Sequence, residues 1–304
     1  MRICFTILVV ISFALFSYAA ETQHIVILSW FNDGSAEDGF RDGVISRNID
    51  ARFYTFGSNR DMGVLEKQLA FIDKLPKDLI YVNGFRAASK LIKRFPETPI
   101  VFIVEDDPVK NDIIASKWRT LTNATGIDVS IPVLEELLEL KAVRNFEKIY
   151  FFEGSRTKKS AEKFRKIERL GKYLNFDSVL IKDIKKVKAY GLKTFSKTKS
   201  AAYLAGGVSP EIGREIKKLN IPVMAEKPEM IVNGYGIIAM VVDMYRAGRL
   251  LSDKAAVILS GKAASEIPVQ TIRYFRLVIN LAEAERVNED VPLELLLTAL
   301  DIIR

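Results

Sequence analysis

The side chains that most often carry catalysis are scarce in this 304-residue chain, which has one cysteine, Cys4, and one histidine, His24. A single imidazole near the start of the chain cannot build a Ser-His-Asp triad, a Cys-His pair or an HExxH zinc site. A single thiol cannot form an intrachain disulfide or a cysteine-ligated zinc centre. Since no remaining pair of residues has a spacing that supports catalysis, the sequence predicts a binding protein rather than an enzyme, with no cofactor and no metal.

Carboxylates are the clearest remaining groups with chemistry, and three of them precede Pro108. Glu105, Asp106 and Asp107 follow one another directly. Three acids at one place could hold a cation or the ammonium group of a ligand. A glycosidase pair is the alternative, but neighbouring residues of a strand point to opposite faces, which disfavours two cooperating carboxylates. We therefore select Glu105 and Asp106 as ligand-binding candidates.

Aromatic and polar side chains follow two apolar runs in the first part of the chain. Trp30, Phe31 and Asn32 come after the run HIVILS, where exposed rings could stack on a planar ligand; core packing of one ring is the alternative. Asn83 and Arg86 come after LIYV, and an arginine there could bind a carboxylate through two hydrogen bonds or begin a solvated helix. All five are predicted to contact a ligand.

Three further candidates end apolar runs in the second part of the chain: Glu153, Gly206 and Glu226. A glycine permits close approach of the backbone to a ligand, although it is also an ordinary turn residue. These three complete the predicted binding set.

Short apolar runs alternate with longer helical patterns along the chain. Strands are predicted at 24–30, 51–56, 79–84 and 99–108, with helices at 38–49, 62–72 and 86–94. After a join near 126–132 the alternation restarts, with helices at 133–144, 160–174 and 210–219 and strands at 148–154, 178–184, 201–207 and 221–226. Such alternation is typical of a parallel sheet covered on both faces.

The two halves predict an α/β fold with two doubly wound parallel-sheet lobes, a hinge and an interlobe cleft. Lobe 1 is predicted over 21–126, completed by about 235–262, and lobe 2 over 127–234, completed by part of 263–304. A helix is expected at 235–259, interrupted at Gly248, and Ser160 is expected to be an N-cap. Ligands in such sheets bind beyond the carboxyl ends of the strands, where the candidate residues lie.

The formal charge of +7 is unevenly spread. From 156 to 199 the chain has 15 Lys and Arg residues against 4 Asp and Glu. Such a basic block could bind nucleic acid or a membrane surface. It lacks a recognised motif and has few aromatic residues for base stacking, so we predict a solvated face of lobe 2 and no nucleic-acid partner.

The first 20 residues have the order of a secretory signal. Arg2 precedes the uncharged run ICFTILVVISFALFSYAA, which ends in small residues. This order predicts a cleavable signal peptide at 1–20 and a periplasmic or other extracytoplasmic location. An uncleaved anchor is the alternative, because the run is near the lower length limit for a membrane span.

The C-terminal region contains a spaced set of residues: Gly261, Lys262, Ile267, Pro268, Val269, Thr271, Phe275, Asn280, Ala284, Pro292 and Asp301. Further motifs run in order through the chain: GFRDGV, PIVFIVEDDPV, NATGI, LNIPVMAE and VNGYG. In these residues and motifs the chain resembles one family of bacterial extracellular solute-binding proteins of ABC transporters. The resemblance covers essentially 24–304.

This resemblance implies the type I periplasmic-binding fold and a small-molecule ligand that is delivered to an ABC permease. A periplasmic sensor coupled to a membrane receptor or sensor kinase is the alternative. The resemblance also implies that Asp107 is part of a turn and caps the next helix. The known ligands of the family include aromatic amino acids, but Gly206 and Gly207 stand where the family commonly has an aspartate that would pair with a ligand ammonium. The ligand class is therefore left as an amino acid or another small organic solute.

Overall fold

The computed structural model of the protein describes residues 21–31, 34–153, 157–182, 199–206 and 209–304. The predicted signal peptide at 1–20, the candidate Asn32, Gly207 and the segment 183–198 of the basic block lie outside these ranges.

The strands follow the apolar runs of the sequence. They are β1 Gln23–Ser29, β2 Ala51–Gly57, β3 Leu79–Asn83, β4 Ile100–Val104, β5 Ala124–Asp128, β6 Lys148–Glu153, β7 Asp177–Ile181, β8 Ser200–Ala205, β9 Val223–Ala225, β10 Ile238–Val241, β11 Gln270–Thr271, β12 Arg276–Asn280 and β13 Ala299–Ile303.

The helices of the described residues alternate with these strands. They are α1 Ser35–Ile45, α2 Met62–Ile72, α3 Phe85–Arg94, α4 Val133–Val143, α5 Lys158–Leu174, α6 Pro210–Lys217, α7 Pro228–Val232, α8 Met244–Leu259, α9 Leu281–Arg286 and α10 Leu293–Leu297, with a 3₁₀ turn at Ala264–Glu266. None of the helices in the described part of the chain has the length and apolar character needed to cross a bilayer.

Two sheets organise the molecule. The first has the order β11-β5-β4-β3-β1-β2 and the second the order β13-β12-β10-β9-β8-β6-β7. The paired strands are parallel except for β10 and β12, which are antiparallel. Strands β3, β4 and β8 are buried along their whole length, as apolar strands with helices on both faces must be. The predicted α/β fold with mostly parallel sheets is confirmed.

The chain passes between the sheets after β5, after β10 and after β11. We call the part around the first sheet the first lobe and the part around the second sheet the second lobe. Within the segment expected to complete the first lobe, β10 lies in the second sheet, whereas α8 packs against α1 of the first lobe. The residue boundaries assigned to the lobes remain a prediction.

The helix predicted over 235–259 is wrong in its first part. Ile238–Val241 form β10, which pairs with both β9 and β12. A short strand buried on both faces is apolar throughout, so its sequence has no period that distinguishes it from a buried helix. Gly248 does not interrupt α8; it lies where α8 contacts α1, and a Cβ atom there would be 2.0 Å from the carbonyl oxygen of Ala36.

The cap predicted for the fifth helix is also wrong. Thr157 is the N-cap of α5, and its side chain accepts a hydrogen bond from the backbone N–H of Ser160. The Ser160 hydroxyl in turn accepts from the backbone N–H of Thr157, which completes a capping box. A serine can occupy either position of this motif, so residue type alone did not place the helix start.

Candidate ligand-binding cleft

A cleft of about 1250 Å³ lies between the two sheets. Its first-lobe wall contains the residues after β4, Glu105 to Asp107, and its second-lobe wall contains one face of α5 and Glu226 after β9. The segments 129–133 and 240–242, which adjoin two of the chain passages between the lobes, line it as well. The cleft thus meets the carboxyl ends of parallel strands, where open α/β sheets bind ligands, and its volume is on the order of that of a small-molecule site.

The basic block contributes one wall of this cleft. Lys159, Lys163 and Lys166 are spaced so that they share one face of α5, and all three line the cleft. The prediction that the block is a solvated face therefore needs correction for this helix face. The packing of α5 buries Ile167 in the second-lobe core, and on the cleft face Lys159 reaches Asp106 of the first lobe.

Lys163 is the centre of a buried polar cluster in the second lobe. Its ammonium nitrogen is 3.2 Å from a carboxylate oxygen of Glu136 and 3.0 Å from one of Glu226. It also donates to the hydroxyl oxygen of Tyr203 at 2.6 Å. Tyr203 donates its own proton to Glu136 at 2.7 Å. The four side chains, from α4, α5, β8 and the loop after β9, therefore satisfy one another.

Burial and charge act against each other in this cluster. Burial raises the pKa of Glu136 above its usual value, although Lys163 and Tyr203 oppose that shift. Burial and the nearby charge of Glu136 raise the pKa of Tyr203 well above its usual value, so this hydroxyl stays protonated. Burial acts to raise the pKa of Glu226, but Lys163, the N–H of Gly206 and the charge of Lys159 outweigh burial, so the pKa is lowered. Glu226 is therefore the firmly ionised carboxylate of the cluster.

A second lysine joins the two lobes across the cleft. The ammonium of Lys159 is 3.2 Å from a carboxylate oxygen of Asp106. Burial acts to lower the pKa of Lys159, but Asp106 and the charges of Glu226 and Glu105 outweigh it and raise the pKa. Burial raises the pKa of Glu105 above its usual value. The side chains of Lys159 and Asp106 are 60% and 41% exposed, so this ion pair is in contact with solvent.

Three of the predicted site residues, Glu105, Asp106 and Glu226, line this cleft. Glu226 is held in place by the backbone N–H of Gly206, which donates to its carboxylate at 2.6 Å. Asp107 also lies at the cleft, where its carboxylate accepts from the backbone N–H groups of Val109 and Lys110. Asp107 therefore caps a turn, and the expectation that it caps a helix is wrong because no helix follows it before β5.

The other described candidates do not belong to the lining of this cleft. Trp30 is buried in the first-lobe core against Gly84, where an added Cβ would lie 2.5 Å from the Cβ of Trp30. Phe31 lies under the guanidinium of Arg60, at 5.1 Å from it. In the same lobe, Arg86 is exposed at the start of α3.

Asn83 and Glu153 are engaged within their own lobes. The buried Asn83 donates to the carboxylate of Glu37, on the first turn of α1, at 3.1 Å. Glu153 accepts a hydrogen bond from the hydroxyl of Ser160. The roles predicted for these residues in ligand binding remain predictions.

The site predicted from the sequence did not include Glu136, Lys163 or Tyr203. Tyr203 lies in an apolar strand, and its surroundings in the sequence indicate a core residue. Lys163 is one of many lysines in a basic segment that indicates a solvated face, and only its spacing of four residues from Lys159 indicates that the two share a face. Across the described residues no three His, Cys, Asp or Glu side chains are grouped as metal ligands would be.

Comparison with known families gives one match. The family model described as ABC transporter substrate binding protein matches residues 27–303. No protein among the curated sequences matches this chain.

Several solved structures share the fold. One is the ligand-free, open form of a substrate binding protein with adhesive properties from Clostridium difficile, with a TM-score of 0.78 and 17% identity over 93% of this chain and 99% of that one. Another is an ABC domain in complex with L-Trp from Streptococcus pneumoniae, with a TM-score of 0.70 and 16% identity over 93% of this chain and 100% of that one. A conserved domain protein from Vibrio cholerae O1 biovar eltor has a TM-score of 0.68 and 18% identity, with coverage of 93% and 100%. At these identities the likeness concerns the fold.

Proposed function

The chain belongs to the ABC transporter substrate-binding protein family and has the type I periplasmic-binding fold, and from this premise we propose that it captures a small organic solute in its interlobe cleft and delivers it to an ABC permease. The observation that carries this proposal is the cleft itself. It joins the carboxyl ends of strands from two sheets, and the chain passes between those sheets more than once. Such connections let two lobes close on a ligand by hinge motion.

The proposal places the protein outside the cytoplasm, because a solute must be captured before it meets the permease. The signal-like order of the first 20 residues supports this location. Sequencing the N-terminus of protein from the exported fraction tests it: a mature chain that begins near residue 20 or 21 is expected, and a chain that still begins at Met1 would contradict cleavage.

A thermal-shift screen of the purified protein tests solute capture. The panel comprises amino acids, including L-tryptophan because a structural relative is described with it, other organic acids, and nucleosides. A solute at 100 times its dissociation constant adds about 2.7 kcal/mol to the free energy of unfolding, which is a clear increase in melting temperature. Closure on that solute is then measured as a decrease in radius of gyration by small-angle X-ray scattering.

A matched pair of variants assigns the binding to the cleft. Ser130→Trp places a large ring in the cleft wall, whereas Ser260→Trp places the same ring at an exposed position after α8. We expect the first variant to weaken binding at least tenfold and the second to bind as the parent does. Equal binding by both variants would contradict a site in this cleft.

Uptake of the labelled solute by cells that lack this protein separates transport from sensing. Transport predicts that uptake falls and is restored by the parent but not by Ser130→Trp. Unchanged uptake, together with loss of a transcriptional response to the solute, would favour the sensor instead.

A further inference from the structure

The Lys163 ammonium is enclosed as a bound ligand would be. The lysine side chain is 13% exposed, and its nitrogen has two carboxylates and one hydroxyl within 3.3 Å. The nitrogen lies beyond the hydroxyl end of the Tyr203 ring, 5.0 Å from the ring centroid, so Tyr203 acts on it through its oxygen. Carboxylate and hydroxyl oxygens that converge on one nitrogen in this way are what a recognised alkylammonium group requires.

The groups that contact the Lys163 ammonium come from elements other than α5, the helix that contains Lys163. Glu136 comes from α4, Tyr203 from β8 and Glu226 from the loop after β9, and each is held by further contacts. Tyr203 donates to Glu136 at 2.7 Å, and Glu226 accepts from the N–H of Gly206 at 2.6 Å. Because the acceptors are held by one another and by the backbone, they would keep their arrangement if the lysine were shortened.

The neighbouring carboxylate Asp106 is also paired by the protein itself. It pairs with Lys159, whose charge also acts on Glu226. The three carboxylates Glu136, Glu226 and Asp106 are thus matched by two lysines of one helix, Lys163 and Lys159. A ligand ammonium that entered the Lys163 cluster would have to displace Lys163 and leave it without its partners in a largely buried place, which is costly.

We propose that Glu136, Glu226 and Tyr203 form an alkylammonium receptor that the protein's own Lys163 occupies. As a consequence, which rests on the proposed function, the cleft selects organic solutes that have no protonated amino group at this end. Lys163 is the residue that sets this specificity.

Chemical rescue tests the receptor without knowledge of the natural ligand. Lys163→Ala removes the ammonium and leaves a space for a small amine, and Lys172→Ala is the control because it removes an exposed lysine of the same helix. We expect propylammonium to restore at least half of the loss in melting temperature of Lys163→Ala, with saturation. It should have no effect on the parent or on Lys172→Ala. Absence of rescue, or equal rescue by the neutral isostere propan-1-ol, would overturn the receptor.

A measurement on the parent protein covers the case in which Lys163→Ala does not fold. In brief acetylation with acetic anhydride, followed by peptide mass spectrometry, an enclosed and ion-paired Lys163 should react at least tenfold more slowly than Lys172. Equal rates would overturn the proposal, since they require a free and accessible amine.

The specificity is read from the solute screen. Each solute that stabilises the parent is compared with its amino or deaminated analogue, for example L-tryptophan with indole-3-propionate. We expect at least tenfold tighter binding of the analogue without the protonated amine, and a reduction of this preference in Lys163→Ala. Tighter binding of the amine by the parent would overturn the specificity. A screen in which no solute binds would count against the proposed function. The rescue experiment would still show whether Glu136, Glu226 and Tyr203 bind an alkylammonium group.

Discussion

The contact between α1 and α8 depends on the absence of a side chain at Gly248. A Cβ atom at this position would be 2.0 Å from the carbonyl oxygen of Ala36 and 2.8 Å from the backbone nitrogen of Phe40. Real Cβ atoms keep at least 3.0 Å from such atoms, so Gly248→Ala would force the helices apart by about 1 Å. Both obstructing atoms belong to the backbone of α1 and cannot turn aside.

Two opposing terms decide the outcome of Gly248→Ala. An alanine inside a helix is favoured over glycine by about 1 kcal/mol. Overpacking of a close contact costs about 1–3 kcal/mol, and more where the backbone must shift. Because a shift of about 1 Å also separates the surrounding apolar contacts, we expect the packing term to win and the free energy of unfolding to fall by about 1–3 kcal/mol. For a chain of this size each kcal/mol corresponds to about 2–4 °C in melting temperature.

Urea unfolding followed by circular dichroism measures this loss, and Gly63→Ala is the matched control. Gly63 is an exposed glycine in α2, where the nearest atom to an added Cβ is a side-chain oxygen of Asp61 at 3.2 Å. The control should be neutral or slightly stabilising. If Gly248→Ala proves as stable as the parent, the close approach of α1 and α8 is not what holds α8 on the first lobe, and the reasoning fails.

Three further predictions concern single interactions. Lys117→Met should lower the free energy of unfolding in urea by about 3–5 kcal/mol, because it removes the counter-charge of the buried Asp128, whose carboxylate is 2.5 Å from the Lys117 ammonium. The control Lys90→Met breaks an exposed ion pair and should lower it by only about 0–1 kcal/mol. Equal losses in the two variants would contradict the role of burial. Thr157→Ala removes the N-cap of α5 and should lower the free energy of unfolding by about 1 kcal/mol; an unchanged unfolding midpoint would refute this prediction. Since burial raises the pKa of Glu105 in the folded state, the stability that this shift contributes is present below the unfolded pKa and is lost as pH rises through the folded pKa. The stability of Glu105→Gln relative to the parent should therefore increase as the pH rises above about 4.3, the usual pKa of a glutamate, and a difference that is constant with pH would contradict this.

The order of the elements and part of the site could be predicted from the sequence. The apolar runs of β3 and β4 are short and lie between proline and glycine residues, so they are recognisable as strands without any structure. Once strands are known to be parallel, their carboxyl ends share one edge of each sheet. That single rule selected Glu105, Asp106 and Glu226, all of which line the cleft.

Packing within each lobe decided positions that the sequence by itself did not. Trp30 also follows a strand, but Gly84 beside it has no side chain, and the ring enters the first-lobe core. Gly248 has the sequence appearance of a helix breaker, and only the position of α1 reveals it as a site of close approach.

Only the tertiary structure decided the chemistry of the second-lobe wall. Lys163 meets Glu136 and Tyr203, which are 27 and 40 residues away along the chain, and also Glu226. Composition and periodicity report whether a side chain faces the core or points away from it, because those properties repeat with the period of its own element. They do not report which charges of other elements arrive at the same place, since that depends on how the sheet and its helices pack. The pairing of a lysine with two acids, and with it the character of the cleft, is therefore a property of the fold rather than of any segment.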